Sequence, residues 1–448
     1  MSTAATAKGL IVAAPASGSG KTVVTLGLLR HLRDKGRRVA AAKVGPDYID
    51  PAFHATAGGG PCYNIDLWAM RSATVAATIL RLSADADLVV CEGVMGLFDG
   101  SLSGEGSTAD MAVATGWPVI LVVNAQAQGA SVAALVRGFA THRADVTIAG
   151  VIFNRVGGAS HVAILRESCA AALPDIPVLG CIPRDDRLVL PERHLGLIQA
   201  GEHPRLDEFL GEAAAMISGH VDVAALTALA ASRCGAASSN PPGQAAIPPL
   251  GTRIAVACDV AFAFTYPAVL DGWRRDVDIR PFSPLADEAP DPTADAVYLP
   301  GGYPELHAGR IAANGRFLEG LRAAAQRGAV VLGECGGYMV MGRGLIDKDG
   351  NRHAMAGVLD LESSFAKRRL TLGYRQATLA VDGPLGQAGV GYRGHVFHYA
   401  SVLDEGGGLP LFQCRDARGQ ELGPAGLVRG RVMGSFVHLV DRAEPMRS

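Results

Sequence analysis

No apolar run in this 448-residue chain comes near the roughly 20 residues that a helix needs to cross a bilayer. The longest, such as PVILVV from Pro118 to Val123, suits a buried strand, so a soluble protein is expected. Neither sign of charge dominates: 41 Lys and Arg stand against 43 Asp and Glu, a net charge of -2 with acids and bases interspersed. A broad electrostatic patch for nucleic acid or an anionic membrane is therefore not expected, and small ligands fit better. The eight cysteines (Cys62, Cys91, Cys169, Cys181, Cys234, Cys258, Cys335, Cys414) form no C-x-x-C pair. Nothing reads as a secretory leader either, which predicts reduced thiols in a cytoplasm. Internal repeats with a period of about 20 to 50 residues are also missing, which removes solenoids and propellers.

What is present alternates. Short β-branched runs (LIVAA, RVAAAKV, DLVVCEG, VILVVN, IAGVIFN, PVLGCI) are separated by helix-length segments through the first half. Runs apolar on both faces predict a parallel sheet covered by helices. The pattern fades after about Pro191, and Ala230 to Gly251 is rich in Ala, Ser, Gly and Pro, which predicts a linker. A second alternating series follows: RIAVACDVAFAF, AVYLPGG, GAVVLGEC and GRVMGSFVHLV. The expected organisation is two α/β domains, residues 1-225 and 251-448, joined by a linker at 226-250.

GLIVAAPASGSGKTVVTLGLLRHL, Gly9 to Leu32, places an apolar strand, a small-residue loop and a helical pattern in succession. Pro15 stands where a phosphate loop usually has its first glycine, but Gly18, Ser19, Gly20, Lys21 and Thr22 keep the rest. Glycines there let backbone N-H groups turn toward phosphate oxygens at a helix N-terminus. Lys21 would reach the terminal phosphates of ATP and the Thr22 hydroxyl would ligate Mg2+. A metal held for phosphoryl transfer needs carboxylates too. Asp47 and Glu92, each just past a strand, are the metal candidates, since strand ends of a parallel sheet share one edge. Asp47 and Asp50 also read as turn residues beside Pro46 and Pro51. Asn154, ending the strand IAGVIFN, could hydrogen-bond an adenine edge or simply form a turn.

In the second half, GAVVLGECGGYMVMG sets Cys335 at a glycine-flanked turn between a strand and a helix. This is nucleophile-elbow geometry, with Gly333, Gly336 and Gly337 permitting the turn, and the helix start is expected to lower the thiol pKa. Gly301 and Gly302, with Gly336, are candidate oxyanion-hole donors. His438, read at the end of an apolar run, is the expected general base, ahead of His395 and His398.

APASGSGKT, KVGPDYIDPAFH, CEGVMGLFDG, LPGGYPE, GECGGYMVMG and SFVHLV together resemble the a,c-diamide synthases of vitamin B12 biosynthesis, which act on cobyrinic or hydrogenobyrinic acid. The resemblance spans nearly the whole chain. It implies a dethiobiotin synthetase-like phosphate-loop domain followed by a class I glutamine amidotransferase domain. It further implies ATP and Mg2+ at Gly18 to Thr22 with Asp47 and Glu92, a glutaminase nucleophile at Cys335 with its base at His438, and a corrinoid site at Tyr48, Ile49 and Asp99. L-glutamine and a corrinoid acid are the implied small-molecule partners, the metal-free corrin being preferred, and a homodimer is expected. Leu439 and Val440 follow His438, so the usual amidotransferase His-x-Glu acid is missing, as it is in the cobyrinate-type enzymes. The rivals are an amidoligase acting on other carboxylates, such as a cobyric acid synthase-like enzyme, and a ParA-like regulatory ATPase that would have no use for Cys335.

Overall fold

Apolar residues on both faces of short strands demand cover from helices on either side, and the first half satisfies them in that way. The computed structural model describes residues 7-193, 196-231 and 245-444. Strands β1 (Lys8–Ala13), β2 (Val39–Val44), β3 (Cys62–Ile65), β4 (Leu88–Glu92), β5 (Val119–Asn124), β6 (Ile148–Val156) and β7 (Val178–Pro183) form one sheet. The order is β3-β2-β4-β1-β5-β6-β7, and every pairing is parallel. Leu10, Val12, Val90, Ile120 and Ile152 of these strands pack with Leu28 and Leu29 of helix α1 (Lys21–Asp34) in one buried cluster.

Six of the seven strands follow the sequence expectation. The addition, β3, is four residues at the sheet edge with a polar Asn64 inside, too short and mixed to register as an apolar run. Asn64 has a task there: its amide donates to the carbonyls of Gly45 (2.9 Å) and Asp47 (2.7 Å), pinning the loop that leads into helix α2 (Asp50–Gly58).

The chain divides into two compact units, 1-68 with 75-241 and 69-74 with 242-448. Six residues of the first half thus belong with the second unit, where Arg71 pairs with the buried Asp441 (2.8 Å). Most of the expected linker, residues 232-244, lies outside the described residues.

In the second unit, β8 (Arg253–Ala257), β9 (Asp278–Phe282), β10 (Ala296–Leu299) and β11 (Val330–Glu334) are parallel, as a second α/β domain requires. The remainder adds antiparallel strands that the sequence reading did not include. β12 (Thr371–Leu379), β13 (Gly391–His398), β14 (Leu409–Arg415) and β15 (Glu421–Arg429) pair antiparallel, and the single run GRVMGSFVHLV is two strands, β16 (Val432–Ser435) and β17 (His438–Arg442). The ten-stranded order is β9-β8-β10-β11-β16-β15-β14-β12-β13-β17. Phe436 and Val437 break the run, so β16 lies beside β11 while β17 reaches the far edge beside β13. His438 therefore opens a strand rather than ending one. Among the described residues no helix is long and apolar enough to cross a membrane, and the seven described cysteines are all free thiols.

Candidate active sites

The small residues after β1 form a loop that delivers Lys21 and Thr22 to the first turn of α1. Gly20 adopts φ +91°, and a Cβ there would stand 2.1 Å from the Asn154 amide nitrogen, so only glycine fits. That amide donates to the Ser19 carbonyl (3.0 Å) while the Asn154 oxygen accepts from the Arg155 N-H (2.9 Å). Asn154 thus clamps the loop. A cavity of about 290 Å3 opens beside it, lined in part by Gly20, Val23, Asn154, Arg155, Leu188 and Met216.

At the carboxyl edge of β4 the Thr22 hydroxyl donates to Glu92 (2.8 Å), joining two of the expected metal ligands. The residue that organises this edge went unread in the sequence. Lys43, buried on β2, sits 2.5 Å from Asp50, 3.0 Å from Glu92 and 3.8 Å from Asp47. His54 on α2 holds the other Glu92 oxygen at 2.6 Å. Burial opposes the charge on Lys43, but Asp50, Glu92 and Asp47 override it and hold its pKa well above the usual range. Burial likewise opposes the charge on Glu92, yet Lys43 and His54 keep its carboxyl well below the usual range. Asp50 moves up to about 6, because burial and the neighbouring Asp47 outweigh its pairing with Lys43.

Asp50, expected only as a turn residue, is therefore part of the cluster. Asp47 does form a turn, accepting the N-H groups of Ile49 (2.8 Å) and Asp50 (3.1 Å) with one oxygen. Three carboxylates thus face one buried lysine, and among the described residues no group of three or more His, Cys, Asp or Glu side chains is arranged to hold a metal ion by itself. Lys21 donates to the Met95 carbonyl (2.7 Å) in the loop after β4. Of the expected corrinoid-contacting residues, Tyr48 and Ile49 are half-buried just before α2, and exposed Asp99 accepts the Gly96 N-H (2.8 Å).

The second site is built where β11 turns into helix α3 (Gly336–Met341). Cys335 at this elbow adopts φ +47°, strained for a side chain that carries a Cβ. Its N-H donates to the Ser435 carbonyl at the end of β16 (2.8 Å). Gly301 and Gly302 follow β10, and the structure brings them to both partners. A Cβ on Gly301 would stand 2.3 Å from His438 Cε1, and one on Gly336 would stand 3.0 Å from the Gly302 nitrogen. The N-H of Gly302 thus lies beside the elbow.

The thiol does not follow the expected shift. Burial pushes the Cys335 pKa up, the Glu305 carboxylate pushes the same way, and the Gly336 N-H opposes them without prevailing. A helix of two turns or less, facing a buried sulfur, is too weak a dipole to offset desolvation. His438 is held well below its usual pKa by burial and by His395 and His398. Each group therefore rests neutral, Cys335 as a thiol and His438 as an imidazole. Of the competing histidines, His395 lies flat on His438, with centroids 5.0 Å and planes 8° apart, and His398 stacks on Phe436.

Glu334, directly before the nucleophile, accepts from Tyr298 Oη (2.8 Å) and from the Leu439 N-H (3.2 Å). Burial raises its pKa to about 7 against those two hydrogen bonds. The folded chain holds this proton more tightly than the unfolded chain does, so stability falls as pH rises from about 4.5 to about 7. The loss across that window is roughly 3 kcal/mol. Glu334→Gln, which keeps the shape of the protonated acid, should match the parent's melting temperature near pH 5 and exceed it above pH 7. Parallel melting curves across the range would refute the assignment.

Two family models match the chain. One described as a CobQ/CobB/MinD/ParA nucleotide binding domain matches residues 10-198, and one described as a CobB/CobQ-like glutamine amidotransferase domain matches 253-445. The fold and the two sites accordingly define a glutamine amidotransferase carrying its own nucleotide-binding domain. Curated relatives named hydrogenobyrinate a,c-diamide synthase are similar over 97% of this chain. The Brucella anthropi protein is 53% identical across 98% of its own length, that of Rhizobium meliloti 51% across 100%, and that of Rhodobacter capsulatus 51% across 98%. The chain belongs to the hydrogenobyrinate a,c-diamide synthase family.

Proposed function

We propose that this chain converts the a and c carboxylates of hydrogenobyrinic acid to amides in the cytoplasm, with ATP and glutamine as co-substrates, in cobalamin biosynthesis. What carries the reading is the presence, on one chain, of a phosphate loop beside buried carboxylates and of a cysteine elbow with Gly302 next to it and Gly301 against His438, in a member of this family. A carboxylate is anionic and offers only oxide as a leaving group, so ammonia cannot displace it directly. Transfer of the ATP γ-phosphoryl group to a carboxylate oxygen gives an acyl phosphate; ammonia then attacks the carbonyl and inorganic phosphate leaves with that oxygen.

Lys21, withdrawn from the Met95 carbonyl, would balance charge on the transferring group, and the Gly18 to Thr22 N-H groups would cradle the remaining phosphates. Thr22, Asp47 and Glu92 would hold Mg2+, which supplies further charge neutralisation on the phosphates when bound. Lys43 and His54 keep Glu92 ionised for that purpose. Asn154 and the adjoining cavity would receive the adenine, and the corrin would approach Tyr48, Ile49 and Asp99.

At the other site, His438 takes the Cys335 proton as sulfur attacks the glutamine amide carbon. The Gly301, Gly302 and Gly336 N-H groups face the developing oxyanion, and the imidazolium returns its proton to the departing ammonia. Water then cleaves the thioester to glutamate. A partition-type ATPase would leave this half of the chain without a role.

Offered metal-free and cobalt-bearing corrin acids with ATP and glutamine, the protein should amidate the metal-free one faster. Mass spectrometry should find both amides, and the glutamate released should equal the amides formed. Turnover of neither acid would overturn the reading.

A further inference from the structure

The missing His-x-Glu acid leaves open what fixes the plane of the His438 ring. We propose that His395, through ring-on-ring stacking, is the residue that positions His438 for glutamine hydrolysis, in place of that acid. The inference rests on the glutaminase reading above.

His395 on β13 and His438 on β17 are direct cross-strand partners in the sheet, so their side chains leave the same face side by side. Both are buried, and their rings are nearly parallel, 8° apart at a 5.0 Å centroid separation. His395 is itself fixed, its Nε2 lying 2.7 Å from the hydroxyl of the buried Tyr266. Phe264 approaches His438 at 6.5 Å, tilted by 48°, and the absent side chain of Gly301 leaves room at the Cε1 edge. Tyr266, His438 and the Arg375 guanidinium are among the groups acting on His395; burial first, and then Arg375, lowers its pKa to about 3. His395 is thus a neutral, flat partner at neutral pH, unsuited to proton transfer and suited to stacking. An orienting carboxylate would fix the ring through one nitrogen; a stacked ring fixes its plane through its face.

The test measures glutamine hydrolysis by the full chain. His395→Ala should lower kcat about tenfold to a hundredfold with KM for glutamine within about twofold. His395→Phe, which keeps a flat ring, should stay within about threefold of the parent. In a His438→Asn background, His395→Ala should cost less than about twofold more, because a residue that acts only through His438 has nothing left to position. The proposal is overturned if His395→Ala hydrolyses glutamine like the parent or if its loss adds fully to that of His438→Asn. A Phe variant that melts like the parent yet falls as far as the Ala variant overturns it too, and decides the matter even if the Ala variant fails to fold. A parent protein that releases no glutamate overturns the glutaminase reading itself, a separate and visible result.

Discussion

Replacing Cys335 with alanine should abolish amidation driven by glutamine and leave amidation driven by added ammonia close to that of the parent. Removing a covalent nucleophile costs on the order of 10^4-fold or more, because the residual site can bind the amide but cannot form the thioester. The substitution exchanges a small buried side chain for a slightly smaller one, so the elbow and its Cys335 N-H to Ser435 carbonyl bond persist. Ammonia-driven synthesis should rise with pH as ammonium gives way to the nucleophilic base. Loss of both activities in a protein that still melts cooperatively would show that Cys335 serves something other than glutamine hydrolysis.

The complementary experiment is Lys21→Ala. Synthesis from either nitrogen source should fall by at least about a hundredfold, the usual cost of removing one donor aimed at developing charge. Glutamine hydrolysis should remain measurable. The side chain is buried, but its ammonium makes one hydrogen bond, to the Met95 carbonyl, so the stability cost should be about 1 kcal/mol. Steady-state assays with glutamine and with ammonia, beside a melting curve, separate these effects. An unaltered synthetic rate would remove Lys21 from the phosphoryl-transfer site.

How much of this was visible in the sequence depends on distance along the chain. Gly18 to Thr22 and Gly333 to Gly337 are local devices, in which glycine spacing prescribes a backbone turn, and both turns are present. Glu92 was legible because an acid that ends a buried strand needs a reason to be there. Lys43, in contrast, looks like one residue of an apolar strand; its meaning comes from Asp47, Asp50 and Glu92, the last 49 positions away. His54 and Asn64 were hidden for the same reason. The thiol pKa was misread because a glycine turn announces the helix start but not the burial that outweighs it. The second unit's antiparallel half also escaped, since its strands are mixed in polarity and only pairing reveals them.

The place of β17 has a consequence for glutamine hydrolysis. Five strands separate it from β11 in the sheet order, yet the Leu439 N-H bonds to Glu334, so the sheet must curl back until its rim meets its middle. His438, the first residue of β17, takes its place through pairing with His395 at this far edge. On the glutaminase reading, a chain that lacks β17 should therefore release no ammonia from glutamine.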